Sequence, residues 1–99
     1  MTIENKKEAG RLTLSITGRV DTTTAPKLEA EIRDSLAGVT ELVLNLEKME
    51  YISSAGLRVL LSAQKTMNRQ GTMKLTHVQE TIREIFEITG FDEILTIED

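Results

Sequence analysis

One segment, residues 44–61, constrains the fold of this 99-residue chain more than any other. It starts with Leu44-Asn45-Leu46, which has the composition of a buried strand, and from Leu57 onwards its apolar residues follow helical spacing. The hydroxyls of Ser53 and Ser54 stand between the two, where the helix begins. The first N–H groups of a helix lack backbone partners and lie at the positive end of its dipole. The segment therefore predicts a strand, a turn and a helix whose N-terminus tolerates a phosphate.

The rest of the chain alternates between strand and helix patterns. Strands are predicted over 2–7, 11–17, 41–46 and 73–76, helices over 25–38, 55–69 and 78–89, and a short final strand or a loose tail over 94–97. The segment 41–46 is nearly all apolar, which predicts a central strand covered on both faces. Gly71 is predicted to be a left-handed C-cap. Strand–helix–strand units with short connections favour parallel pairing. We expect one α/β domain over 1–99, with a small mixed sheet of four to five strands and the helices on one side.

Composition excludes several classes of function. The net charge is −4 and the basic residues are scattered, which argues against nucleic-acid binding. There is no cysteine and only one histidine, His77, so neither a thiolate metal site nor a histidine cluster is expected. No apolar run reaches the length of a membrane span, and the N-terminus lacks the apolar core of a signal peptide. A cytoplasmic protein without membrane or nucleic-acid partners is the expectation.

Ser53 and Ser54 have two interpretations. One of them caps the helix, which would contribute about 1 kcal/mol. Alternatively, Ser54 accepts a phosphate, which adds close to two negative charges at neutral pH. The helix N-terminus would accommodate that charge within the protein. At a protein interface the same charge would repel an acidic partner or would lose its water at a high cost in free energy. The second interpretation makes the site a switch that leaves the fold intact.

Asp21 and Gly56 also allow two interpretations each. Asp21 follows the second strand and either shapes a turn or lies near Ser54, because loops after parallel strands meet at one edge of the sheet. There it could position the hydroxyl or a magnesium ion carried by a kinase, with the threonines of 22–24 at the rim of the same surface. Gly56 either permits close packing against a neighbouring element or gives a partner access to Ser54.

Met49, Tyr51 and Ile52 either pack the turn or form a modest apolar contact patch beside Ser54. Two enzyme motifs are absent. A nucleophile elbow needs a glycine two residues before the serine and a histidine base, and a phosphate-binding P-loop needs its glycine-lysine string. The chain is therefore predicted to be non-catalytic, with no catalytic residue, metal or cofactor.

Three motifs in order resemble the STAS family of anti-sigma factor antagonists. They are Gly18-Arg19-Val20-Asp21 with the following Thr22-Thr23-Thr24-Ala25-Pro26, then Leu44-Asn45-Leu46 leading into Tyr51-Ile52-Ser53-Ser54-Ala55-Gly56-Leu57, then Ile85-Phe86-Glu87-Ile88-Thr89-Gly90-Phe91. The resemblance covers essentially the whole chain. Many members have an aspartate before the acceptor serine and a hydroxyl after it. Here Ser53 and Ala55 occupy those positions, so Ser53 is a rival acceptor and Ala55 removes another.

The resemblance implies partner switching. In that family an unphosphorylated antagonist binds an anti-sigma factor that is also a serine kinase, phosphorylation releases it, and a serine phosphatase resets it. On this chain the phosphoacceptor falls on Ser54, and Asp21 matches the acidic residue beside it. The predicted partner-contact residues are Asp21, Thr22, Thr23, Thr24, Met49, Tyr51, Ser53, Ser54, Gly56, Leu57 and Arg58. The alternative is a STAS accessory subunit of a transport or signalling complex that is not phosphorylated.

Overall fold

Strands and helices alternate along the chain in the computed structural model, which describes residues 1–98. The elements are β1 (Thr2–Glu8), β2 (Arg11–Val20), α1 (Ala25–Ser35), β3 (Glu41–Asn45), β4 (Met49–Ile52), α2 (Ser54–Gln70), β5 (Thr72–Thr76), α3 (Glu80–Thr89), a 3-10 helix (Phe91–Glu93) and β6 (Ile97–Glu98). Apart from the additional strand β4, their order confirms the predicted succession of strands and helices. Of the two possibilities for the C-terminal segment, the structure shows the short strand, shifted to Ile97–Glu98.

The strands form one mixed sheet in the order β1-β2-β3-β5-β6, and β4 pairs with β2 beyond the end of β3. The β1–β2 pair is antiparallel and the other pairs are parallel. The α/β class and the mixed sheet are confirmed. The described residues contain six strands rather than the predicted four to five. The additional strand is β4, which replaces the predicted turn; it is only four residues long, and two of these are exposed, so its sequence shows no clear strand pattern.

The hydrophobic core lies on one face of the sheet. Leu14 and Leu44 are register partners on that face and are completely buried. All three α-helices contribute to the same core, through Leu28, Leu60 and Phe86. The helices therefore pack on one side, as predicted.

The other face of β3 corrects the prediction that this strand is covered on both sides. Val43 points to that face with Glu41 and Asn45, and its register neighbours are Thr13 on β2 and Lys74 on β5. Val43 is buried but lies outside the core cluster. The strand is apolar in sequence because Leu42 and Leu44 face the core, and Val43 between them is shielded on the other face by its neighbours in the sheet.

The second strand is longer than predicted, and this extension positions the functional loops. It continues past Gly18, which has a φ of +96°, and the β2–β4 register shifts between Gly18 and Arg19. An irregularity of this kind re-aims the strand end. Arg19 and Val20 can then pair with Tyr51 and Ile52 of β4.

Candidate functional site

The ends of β2 and β4 bring Asp21 and the two serines together. Val20 pairs in parallel register with Ile52, and the N–H of Ser53 donates a 2.8 Å hydrogen bond to the carbonyl oxygen of Val20. Asp21 directly follows the last residue of β2, and Ser53 directly follows the last residue of β4, so both loops leave the sheet at the same edge. The structure thus juxtaposes two segments that lie more than thirty residues apart in sequence.

Ser53 is the N-cap of α2. Its backbone is extended, with φ −91° and ψ 176°, and its Oγ accepts a 3.3 Å hydrogen bond from the N–H of Gly56. This is the geometry in which a serine satisfies one of the free N–H groups of a helix start. The cap interpretation therefore applies to Ser53, which is half-buried.

Ser54 is the first residue of α2 and is exposed. Within residues 1–98 its hydroxyl takes part in no hydrogen bond. It lies beside the unpaired N–H groups of the first turn, where the helix dipole favours a negative charge. The two adjacent serines thus have different surroundings: one hydroxyl is engaged in the fold and the other faces solvent.

Asp21 organises the loop that faces Ser53. Its Oδ1 accepts hydrogen bonds from the N–H and Oγ1 of Thr23, at 3.0 and 2.7 Å, and from the N–H of Thr24 at 3.1 Å. These bonds favour the carboxylate, and the hydroxyl of Thr23 contributes most to lowering the pKa of Asp21 below its ordinary value. The turn interpretation of Asp21 is what the geometry shows. Its other oxygen, Oδ2, lies 3.9 Å from Nε of Arg19.

Thr24 occupies the N-cap position of α1, as predicted, but its hydroxyl does not cap the helix. The Oγ1 of Thr24 donates to the carbonyl oxygen of Arg19 at 2.9 Å and accepts from the N–H of Asp21 at 2.8 Å. Thr24 is half-buried, whereas Thr22 and Thr23 are exposed. The outer two threonines therefore form the accessible part of this loop.

Arg19 is a surface residue of the site that the sequence patterns did not single out. Its guanidinium carbon lies 4.4 Å from the centroid of the Tyr51 ring, in a cation–π arrangement. The two residues are register partners on β2 and β4. Arg19 and Tyr51 become neighbours through the pairing of β4 with β2. Predicting this pair from the sequence would have required recognising residues 49–52 as a strand.

A shallow cavity of about 220 Å³ lies between the first turns of α1 and α2. Residues that line it include Thr22, Ala25, Pro26, Glu29, Ala55 and Arg58. Arg58 is exposed and follows Ser54 by four residues on α2. No group of three or more histidine, cysteine, aspartate or glutamate side chains within residues 1–98 is arranged to hold a metal ion.

Comparison with known proteins identifies the family. The model of the STAS domain matches residues 2–99 of the chain. This chain belongs to the STAS domain family. BtrV of Bordetella bronchiseptica, whose name proposes it as an anti-sigma factor antagonist, is 37% identical over 99 residues, which cover 98% of this chain and 85% of BtrV.

Two solved structures share the STAS fold. The crystal structure of an anti-sigma factor antagonist from Mycobacterium paratuberculosis has a TM-score of 0.87 and 25% identity, over 97% of this chain and 83% of that one. The Bacillus cell fate determinant SpoIIAA in its phosphorylated form has a TM-score of 0.76 and 17% identity, over 99% of this chain and 92% of that one. The second likeness concerns the fold alone.

Three predicted contact residues of this STAS domain are corrected. Met49 is completely buried, and Leu57 is 6% exposed, because each points into the core from its strand or helix. Gly56 is also buried. These residues support the site from beneath and present no side chain to a partner. Of the other predicted contact residues, Thr22, Thr23, Tyr51, Ser54 and Arg58 are exposed, and Asp21, Thr24 and Ser53 are half-buried.

The loop after β5 also reaches this edge. Gln79 precedes α3, and its Nε2 donates to the carbonyl oxygens of Glu47 and Met49, which belong to the turn into β4. His77 lies in the same loop with a φ of +55°, in agreement with its predicted position in a turn. None of the described helices of the STAS domain is long and apolar enough to cross a bilayer.

Proposed function

We propose that this STAS domain, residues 1–99, is an anti-sigma factor antagonist that works by partner switching. In its unphosphorylated state it binds an anti-sigma factor through the edge formed by Asp21, Tyr51 and Ser54. The anti-sigma factor is also a serine kinase, and its phosphorylation of Ser54 ends the complex. A serine phosphatase removes the phosphate and restores binding. The antagonist acts in the cytoplasm as a binding protein and not as an enzyme, without a cofactor and without nucleic-acid or membrane partners.

The observation that supports this proposal is the division of roles between two adjacent serines. The hydroxyl of Ser53 caps α2, so modifying it would break a contact of the fold. The hydroxyl of Ser54 is exposed at the helix N-terminus, so a phosphate there breaks no hydrogen bond among the described residues. The free N–H groups and the helix dipole stabilise the added charge. The names of BtrV and of the mycobacterial protein support the choice of partner.

Phosphorylation would act on the complex through electrostatics. A phosphoserine carries about −1.5 to −2 charges at neutral pH. At a buried interface these charges lose water and meet no countercharge on a partner surface that fits a neutral hydroxyl, which costs several kcal/mol. Phosphorylation of Ser54 therefore leaves the fold of the domain intact and breaks its complex with the anti-sigma factor.

A kinase assay tests the proposal. The anti-sigma factor kinase that co-purifies with this chain is incubated with it and with ATP, and mass spectrometry locates the phosphate. We expect one phosphate on Ser54 and none in Ser54→Ala, whereas Ser53→Ala, which retains Ser54, remains a substrate. Ser54→Glu should weaken binding of the anti-sigma factor while its circular dichroism spectrum stays unchanged.

Two outcomes would contradict the proposal. Equal labelling of Ser54→Ala and the wild type would place the acceptor elsewhere. Co-purification with transporter subunits and with no kinase would instead support the alternative of an accessory STAS subunit whose surface is a static docking site.

A further inference from the structure

Arg58 lies one helical turn after Ser54 on the exposed side of α2. Residues at positions i and i+4 of a helix are neighbours, with their Cβ atoms about 5–6 Å apart. Long side chains of a helix lean towards its N-terminus, so an arginine at position 58 is within reach of the turn that begins with Ser54. An acidic group four residues before a basic one is also the favourable order for such a pair.

The guanidinium of Arg58 has no ion-pair partner within residues 1–98. The acidic residue that shares its cavity is Glu29 of α1, and no ion pair joins the two. Arg19, the other cation of this edge, is already stacked on Tyr51 and lies near Asp21. Arg58 is therefore the cation that is free to bind an anion at the start of α2.

We propose that Arg58 binds the phosphate of phosphorylated Ser54 and holds it against the N-terminus of α2. The inference rests on the proposed function, since it concerns the phosphorylated state of the same site. A planar guanidinium can donate two parallel hydrogen bonds to two phosphate oxygens. Together with the free N–H groups of the first turn, Arg58 forms a phosphate site that the unphosphorylated protein already contains.

The same geometry makes Arg58 selective for position 54. Ser53 is five residues before Arg58, which places it about 140° away around the helix axis, and its hydroxyl is turned to the N–H of Gly56. A phosphate at position 53 would therefore lie off the face that Arg58 covers. Arg58 thus distinguishes between the two adjacent acceptors.

The test is a ³¹P NMR titration of protein that carries phosphoserine inserted at position 54 during translation. The charged side chains around the phosphate act in opposite directions: Asp21, Glu50 and Glu29 raise its second pKa, and Arg19 and Arg58 lower it. We expect the phosphate pKa of Arg58→Gln to rise by about 0.3 units, which corresponds to an exposed helical ion pair. Arg58→Lys should recover much of this shift, and about 1 M salt should remove it.

Lys65→Gln is the matched control. It removes the same charge from the same helix, but Lys65 is exposed and lies about 16 Å from Ser54 along the axis of α2, beyond the screening length at physiological salt. Its phosphate pKa should equal that of the wild type. Phosphoserine inserted at position 53 gives the second comparison, in which Arg58→Gln should have little effect.

An unchanged phosphate pKa in Arg58→Gln would overturn the inference, and so would equal shifts in Arg58→Gln and Lys65→Gln. Because translation supplies the phosphate, neither result depends on a kinase. A failure of the kinase assay on Ser54 would therefore refute the proposed function, while the titration reports on Arg58 alone.

Discussion

Gly56 packs directly against Ile52, the last residue of β4. A Cβ atom added to Gly56 would lie 2.7 Å from Cγ1 of Ile52 and 2.8 Å from Cγ1 of Val20. Both neighbours are buried β-branched residues at the paired ends of β4 and β2. Of the two interpretations of Gly56, the structure shows the close approach of α2 to the sheet, and this approach sets the height of Ser54 above the strand ends.

We expect Gly56→Ala to destabilise the protein. The overlap with stiff neighbours costs about 1–3 kcal/mol, and the better helix propensity of alanine returns up to about 1 kcal/mol. The free energy of unfolding in urea should therefore fall by about 1 kcal/mol. Ser62→Ala, at an exposed position of the same helix, is the control and should lose no stability. A Gly56→Ala protein as stable as the wild type would show that Val20 and Ile52 adjust freely.

Gly71→Ala should have a larger effect for a different reason. Gly71 has a φ of 171°, so it is extended and does not form the left-handed cap predicted from the sequence. A Cβ there would lie 1.8 Å from the carbonyl oxygen of Thr40, which itself accepts a hydrogen bond from the N–H of Thr72. Because backbone cannot turn aside as a side chain can, the loss should reach about 3 kcal/mol.

Urea denaturation of Gly71→Ala measures this loss. Arg69→Ala is the comparison, since Arg69 is exposed in the last turn of the same helix and should change stability by no more than about 0.5 kcal/mol. Similar stabilities of the two variants would rule out the close contact with Thr40.

Ser53→Ala should separate the structural serine from the proposed acceptor. Removing the cap hydroxyl leaves the N–H of Gly56 without its partner and should lower the free energy of unfolding by about 1 kcal/mol. Ser54→Ala removes an exposed hydroxyl and should stay within about 0.5 kcal/mol of the wild type. Thermal denaturation of both variants checks the pair. The reverse order of stabilities would assign the cap to Ser54.

Acidification should weaken the loop at Asp21. Hydrogen bonds, chiefly from the hydroxyl of Thr23, lower the pKa of Asp21 below its ordinary value of 3.8. The carboxylate therefore stabilises the fold fully at pH values above the unfolded-state pKa, and this contribution disappears as the pH falls through the lower pKa of the folded state. Asp21→Asn should thus be less stable than the wild type near neutral pH, and the difference should narrow below about pH 4.

Thr23→Val tests the cause of that shift. Without the hydroxyl that contributes most, the pKa of Asp21 should move back towards its ordinary value, so Asp21 should contribute less stability near neutral pH, and the loss on acidification should be smaller and end at a higher pH than in the wild type. Carboxyl ¹³C NMR follows the pKa of Asp21 directly. An identical titration of Asp21 in the wild type and in Thr23→Val would show that the hydroxyl of Thr23 does not lower the pKa of Asp21.

The sequence predicted the parts of the site that depend on local pattern. The start of α2 follows from two hydroxyls before an apolar helical repeat, so the helix N-terminus at Ser53 and Ser54 could be read directly. Asp21 was expected near them because loops after parallel strands share an edge. The distinction between the two serines could not be predicted, since it depends on the φ and ψ of Ser53 and on which hydroxyl turns towards Gly56.

Short-range pattern failed where burial depends on pairing. Residues 49–52 are too few to show a period, and Met49 could equally have been a surface residue of a turn. Its burial results from the pairing of β4 with the extension of β2 past Gly18, a contact between segments about thirty residues apart. The cation–π pair of Arg19 and Tyr51 arises from the same register and was missed for the same reason.

The sequence alone determined the order of the longer strands and of the helices, the position of the α2 N-terminus and the absence of cysteine, because these depend on neighbouring residues or on composition. Only the tertiary structure decided that Met49 and Leu57 are internal, that Gly56 and Gly71 are points of close contact, and that the hydroxyl of Ser54, unlike that of Ser53, faces solvent with Arg58 one turn away. The physical reason is that burial and side-chain partners depend on residues far apart in the chain, which a local pattern does not contain.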